Sequence, residues 1–185
     1  GTAAANTLTG GGLADTLDGG AGRDLLTGGA GADTFQIASL AHSSNSKAGA
    51  DVNANKIEAI TDFVAGTDEI ELGLGAAAFA GGVTFTTATV MNVSTAITLA
   101  TANYADLAAV MAAVETASAG TASDATTAQA IVFTVTANGG TDFDGNSAGT
   151  YLAINDGTAA FAEADTIINI TGLTGTITAA DFDFA

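Results

Sequence analysis

Along the first 36 residues one large apolar side chain recurs every nine positions, at Leu8, Leu17, Leu26 and Phe35, between small or polar neighbours. Two positions before each stands a polar residue: Asn6, Asp15, Asp24 and Asp33. The four units read GTAAANTLT, GGGLADTLD, GGAGRDLLT and GGAGADTFQ, in register and without insertion. A flexible Gly-rich linker places no acid and apolar residue at fixed offsets, so the register predicts structure. Glycines permit tight turns, and the apolar residue of a three-residue strand points inward. Turn, strand, turn, strand makes one coil of a parallel β-roll every 18 residues. Residues 18 apart then stack at about the ordinary 4.8 Å strand spacing. Asn6 is expected over Asp24, and Asp15 over Asp33.

The rest of the chain carries other periods. Residues 37–55 are small and polar and read as a loop. Glu58 to Leu72 follows as two β-like runs joined by a turn at Gly66. Val83 to Thr98 is Thr-rich and β-branched, a strand pattern. Asn103–Ala119 is the one helical stretch, with Leu107, Val110, Met111 and Val114 at i, i+3, i+4 and i+7. Asn103 with Asp106 forms a capping pair and Gly120 the stop. That stripe reads as core packing. Strands are expected at Ile131–Ala137, Thr150–Ile154 and Asp165–Thr171, with Asn155-Asp156-Gly157 as a turn. The predicted class is mainly β: a short parallel β-roll over residues 1–36, then a β-sandwich-like region over 37–185 with one amphipathic helix near 103–119.

Composition narrows the chemistry. The 185 residues hold 20 acidic against 3 basic side chains, a formal net charge of −17. Arg23, Lys47 and Lys56 are too few for a phosphate-tracking footprint, so nucleic acid is excluded as a partner. Anionic membrane surfaces are disfavoured likewise, and no run of about 18 apolar residues is present to insert in a bilayer. Without Cys or Pro, and with 9 Phe, 2 Tyr and no Trp, thin cores and no disulfides are expected. No basic segment followed by an apolar run opens the sequence, so no ordinary cleavable export signal is expected there.

Stacked carboxylates need a counter-ion. Two charges 4.8 Å apart repel by roughly 0.8 kcal/mol in water and about 3 kcal/mol at an effective dielectric of 20. Carboxylates plus turn carbonyls form an oxygen-only, flexible donor set, which suits Ca²⁺ better than Mg²⁺, Zn²⁺ or copper.

The nonapeptide block resembles the RTX (repeats-in-toxin) family. The resemblance implies calcium between same-edge turns of successive coils. It implies one site of Thr2, Ala4 and Asn6 with Gly19, Ala21 and Asp24. A second site takes Gly11, Leu13 and Asp15 with Gly28, Ala30 and Asp33. Two departures stand out. Asn6 replaces an acid in a unit short of glycines, and Leu13 replaces a glycine; the first site is expected to be the weaker. Glu58 to Leu72 resembles the segment after the last repeat in serralysin-type proteases, where acids complete the last calcium sites; Glu58, Asp62 and Asp68 are the matching positions. The alternative for each is a solvated turn acid. Asp142, Asp144 and Asn146 have a spacing that suits another Ca²⁺, but the downstream bidentate Glu of an EF-hand is missing. The C-terminal stretch resembles that of proteins exported by type I secretion, whose uncleaved signal is read by an ABC transporter complex. The DFDFA ending departs from the acid-plus-aliphatic tail of serralysins.

A catalytic constellation does not assemble. His42 is the only His, which excludes a two-His metal site, and neither a Cys nucleophile nor GxSxG occurs. Ser43, Ser44 and Ser46 read as loop polarity, and GxxxxGK[ST] is missing. The expectation is a non-enzymatic, calcium-dependent, secreted structural protein of a Gram-negative-type bacterium: a surface-layer, matrix or filament subunit resembling S-layer proteins in composition. It is expected to self-associate through the open end of its roll or its β-edges. The alternative is the secretion and folding module of a larger hydrolase.

Overall fold

In the computed structural model, residues 1–2, 4–20, 23–37, 58–73, 90–99, 107–118, 127–136, 148–155 and 166–184 are described. The repeats form four short strands, β1 (Thr7–Thr9), β2 (Thr16–Asp18), β3 (Leu25–Thr27) and β4 (Thr34–Ile37). β1 pairs with β3 in parallel, Leu8 beside Leu26, and β2 with β4, Leu17 beside Phe35. The 18-residue coil expected from the sequence is therefore present.

The roll continues past the last nonapeptide. β5 (Glu58–Ile60) adds to β3 and β6 (Glu69–Leu72) adds to β4, both in parallel. The runs on either side of Gly66 thus do not pair with each other; they lie in opposite sheets, as consecutive repeat strands do. The reason is register: Ile60 continues the inward column of Leu26, and Ile70 that of Phe35. Two later strands extend both sheets again, β10 (Thr166–Asn169) beside β5 and β11 (Phe182–Phe184) beside β6. The boundary expected at residue 36 is consequently no break in either sheet.

Seven strands in the order β1-β3-β5-β10-β9-β8-β7 form the larger sheet, and β11-β6-β4-β2 the smaller. β7 (Val90–Leu99), β8 (Thr127–Val135) and β9 (Gly149–Ile154) complete the larger one. β7 and β8 are parallel, which requires a crossover, and α1 (Leu107–Ser118) lies between them in sequence. The expected helix is thus seen from Leu107 onward, with Val110, Met111 and Val114 of its stripe buried. Its proposed cap Asn103 and Asp106, the stop Gly120, the loop 38–55, the strand start at 83–89 and the turn Asp156-Gly157 lie outside the described residues.

Two cores share the larger sheet. Between the sheets are packed Leu17, Leu26, Phe35, Ile60, Phe63, Ile70, Leu152, Ile168 and Phe182, all buried. On the other face, Val110, Met111 and Val114 of α1 cover Phe133, Val135, Tyr151 and Ile167. β8 is buried on both faces, hence its unbroken apolar run Ala130 to Phe133. Phe133 stacks on Tyr151 with ring centroids 5.3 Å apart. No helix among the described residues is long and apolar enough to cross a membrane.

Candidate metal centre

The turns lie along two edges of the roll. On the first edge are those leading into β1 and β3, and the start of β5; on the second are those leading into β2, β4 and β6. Parallel register stacks their last residues: the Asn6 carbonyl accepts from the Leu25 amide, and the Asp24 carbonyl from the Ala59 amide, both at 2.9 Å. Asn6, Asp24 and Glu58 therefore form one column. On the second edge the Asp15 and Asp33 carbonyls accept from the Thr34 and Glu69 amides at 2.8 Å, which aligns Asp15, Asp33 and Asp68.

Every side chain in these columns except Glu58 accepts backbone amides, which pins its orientation. Asn6 Oδ1 accepts from Thr2 N at 2.7 Å, and Asp15 Oδ2 from Gly11 N at 2.6 Å. Asp24 Oδ1 accepts from Asn6 N at 2.6 Å, and Asp33 Oδ1 from Asp15 N at 2.9 Å. One carboxylate oxygen of Asp24 and of Asp33 is thereby held across the coil, which fixes where the other oxygen lies.

The expected carbonyl donors lie where successive turns touch. A Cβ on Gly20 would come 2.8 Å from the Thr2 oxygen, and one on Gly31 2.5 Å from the Leu13 oxygen. Gly11 O accepts from the Ala30 amide at 2.9 Å and keeps a second lone pair. The Leu13 side chain is 79% exposed, so the residue standing for a glycine there displaces no packing. Ala4 and Ala30 are exposed on their turns, while Gly19 and Gly28 are buried beneath the acids. Ala21, Asp142, Asp144 and Asn146 lie outside the described residues.

Of the acids beyond the repeats, Asp62 accepts from the Gly28 and Gly29 amides, both at 2.9 Å. Asp68 accepts from Asp33 N at 3.0 Å and Val64 N at 2.8 Å. Asp181, which the sequence reading missed, is buried and accepts from Gly66 N at 2.5 Å and Thr178 N at 2.7 Å. The alternation of Phe182 and Phe184 with Asp181 and Asp183 is the signal that would have placed it at the start of a strand.

Glu58 stands apart. It is fully buried, and both its oxygens lack a hydrogen-bond partner, as does Asp24 Oδ2. Glu58 Oε1 and Asp24 Oδ2 each come within 2.6 Å of the point where a Gly19 Cβ would sit. Burial, then the charges of Asp24 and Asp18, push the Glu58 carboxyl up to about 9. Two charged carboxylates so placed are expensive in a protein interior, and either a proton on Glu58 or an oxygen-binding cation would relieve them. Three His, Asp or Glu side chains do not converge anywhere among the described residues. The donors fit a cation shared between side chains and turn carbonyls, not a carboxylate-only cage.

Residues 1–35 match the RTX calcium-binding nonapeptide repeat, in four copies. The first two coils are similar to RTX repeats. Repeats of this family bind calcium and typically occur in secreted proteins. The register places Asn6 beside Asp24 and Asp15 beside Asp33. No curated protein matches the chain.

Proposed function

We propose that the chain is a non-enzymatic, calcium-folded structural protein of the cell exterior, a surface-layer, matrix or filament subunit. The observation that carries the calcium part is the column Asn6, Asp24 and Glu58, with buried oxygens that no protein group satisfies. Asn6 and Asp24 with the Thr2, Ala4, Gly19 and Ala21 carbonyls would hold one ion. Asp15 and Asp33 with the Gly11, Leu13, Gly28 and Ala30 carbonyls would hold a second. Calcium supplies positive charge between stacked turns; the residues supply the geometry.

In the cytoplasm, low calcium leaves the acids unsatisfied and the chain expanded, which suits passage through an ABC transporter of type I secretion. Outside, modules with Kd of about 10⁻⁴ to 10⁻³ M fill and fold. Self-association is assigned to strand edges: β1 and β2 have no strand on their outer side among the described residues. Edge-on stacking of copies need not close, so it propagates. The lack of a second His, of Cys and of a GxSxG elbow supports a role without catalysis.

Light scattering with sedimentation velocity, on the purified chain with calcium or chelator, tests this. Assemblies that form with calcium and dissolve on chelation are expected. A calcium-folded chain that stays monomeric at every concentration would contradict the structural role and favour the hydrolase-module alternative.

A further inference from the structure

Leu13 is the most exposed of the large apolar side chains among the described residues. Residues 11–14 around it are all exposed, and the space beside Gly12 is open. In the next turn of the same edge the matching residue is Gly31, where a Cβ would meet the Leu13 backbone at 2.5 Å. The outermost turn can thus carry a large side chain where the turn stacked on it cannot. At the other end of the larger sheet lies β7, six strand spacings or roughly 29 Å from β1. There, past the last strand of the smaller sheet, Val93, Ala96, Val132, Leu173 and Ile177 enclose a cleft of about 400 Å³. The register of β7 shifts between Ser94 and Ile97, along the wall of that cleft. A bulge interrupts the ladder that an added strand would need, which favours a side-chain contact at this edge. Neither surface is charged: residues 9–14 and every residue lining the cleft are neutral. On a chain of net charge −17, two copies can meet at these patches without setting acid against acid.

We propose that Leu13 of one copy inserts into the cleft lined by Val93, Val132 and Ile177 of the next, joining copies head to tail. The proposal rests on the self-association reading above and names the surfaces that carry it. Knob and cleft are different surfaces of one chain, so the contact is heterologous. Each added copy presents a fresh Leu13 at one end and a fresh cleft at the other. Because the two lie at opposite ends of the strand order, copies add along the direction in which the strands stack. Seating Leu13 also brings the outer sides of β1 and β2 towards β7, the edge strand of the neighbouring copy.

Sedimentation velocity of two variants, singly and mixed, in saturating calcium, tests the contact. Leu13→Ala truncates the knob, and Ala96→Glu places a charge on an exposed wall of the cleft. Each alone should need roughly 30-fold more protein than the wild type to assemble, the effect of withdrawing one leucine from burial. Mixed in equal amounts, at a concentration where neither assembles alone, the two should pair. The Ala96→Glu chain keeps its Leu13, and the Leu13→Ala chain keeps its cleft. Growth should stop at dimers, since the free ends of each dimer are the altered ones, and pairing itself shows that both variants fold. Assembly of either variant at wild-type concentrations, or a mixture that stays monomeric where the wild type assembles, overturns the contact and leaves self-association to another surface. A wild-type chain that never assembles overturns the self-association reading and the contact with it.

Discussion

At the scale of residues, whether two turns stack is decided by what faces each glycine. Gly29 has φ +100°, and a Cβ there would land on the Gly11 carbonyl oxygen; Gly66 has φ +80° and open space around it. Both positions carry the left-handed strain of about 1 to 2 kcal/mol for any other residue. Only Gly29 adds a collision with backbone that cannot swing away. Gly66→Ala should cost about 1 kcal/mol and Gly29→Ala at least about 3 kcal/mol, read from urea midpoints in saturating calcium. Equal costs would mean that the turns do not stack as described. The polar sixth positions were legible from the nine-residue period alone. Their partners Glu58 and Asp68 were legible only as acids, because the stretch after residue 37 breaks the period that pairs them with Asp24 and Asp33.

Among elements, the roll is built by columns that run through repeat and non-repeat strands alike. Phe35 of β4 lies between Leu17 and Ile70 in register, and its ring meets Phe63 at a centroid distance of 5.9 Å. Phe35→Ala should cost about 3 to 5 kcal/mol in calcium, measured by urea denaturation. A loss below about 1 kcal/mol would show that the core does not run through the last repeat. The helix stripe Val110, Met111 and Val114 could be read directly, since a 3.6-residue period has one meaning. The segment 58–72 was harder: two apolar runs around a glycine fit adjacent strands as well as strands in opposite sheets. Which one forms is settled by tertiary register, Ala59 beside Leu25 and Glu69 beside Thr34, and no local pattern encodes that. The alternation in Phe182-Asp183-Phe184 fits a strand that the sequence analysis did not assign, and nothing local tells that β11 lies against β6.

For the whole molecule, the net charge of −17 and the stacked acids oppose compaction, and burial in thin cores works against them. Glu69 on the outer face of the smaller sheet feels the same field: burial first, then Asp183 and Glu71, push its carboxyl upward. Calcium in the turns offsets this repulsion where it is largest, and each site filled at about 100 times its Kd contributes roughly 2.7 kcal/mol. That is a large share of a stability of about 5 to 15 kcal/mol, so ion binding and folding should be one event. Far-UV circular dichroism of the full chain, titrated with Ca²⁺ from chelator to about 10 mM beside an Mg²⁺ series, tests this most directly. The β signal should rise cooperatively with Ca²⁺ and stay low in Mg²⁺. A chain with the same β signal in chelator as in calcium would contradict the account.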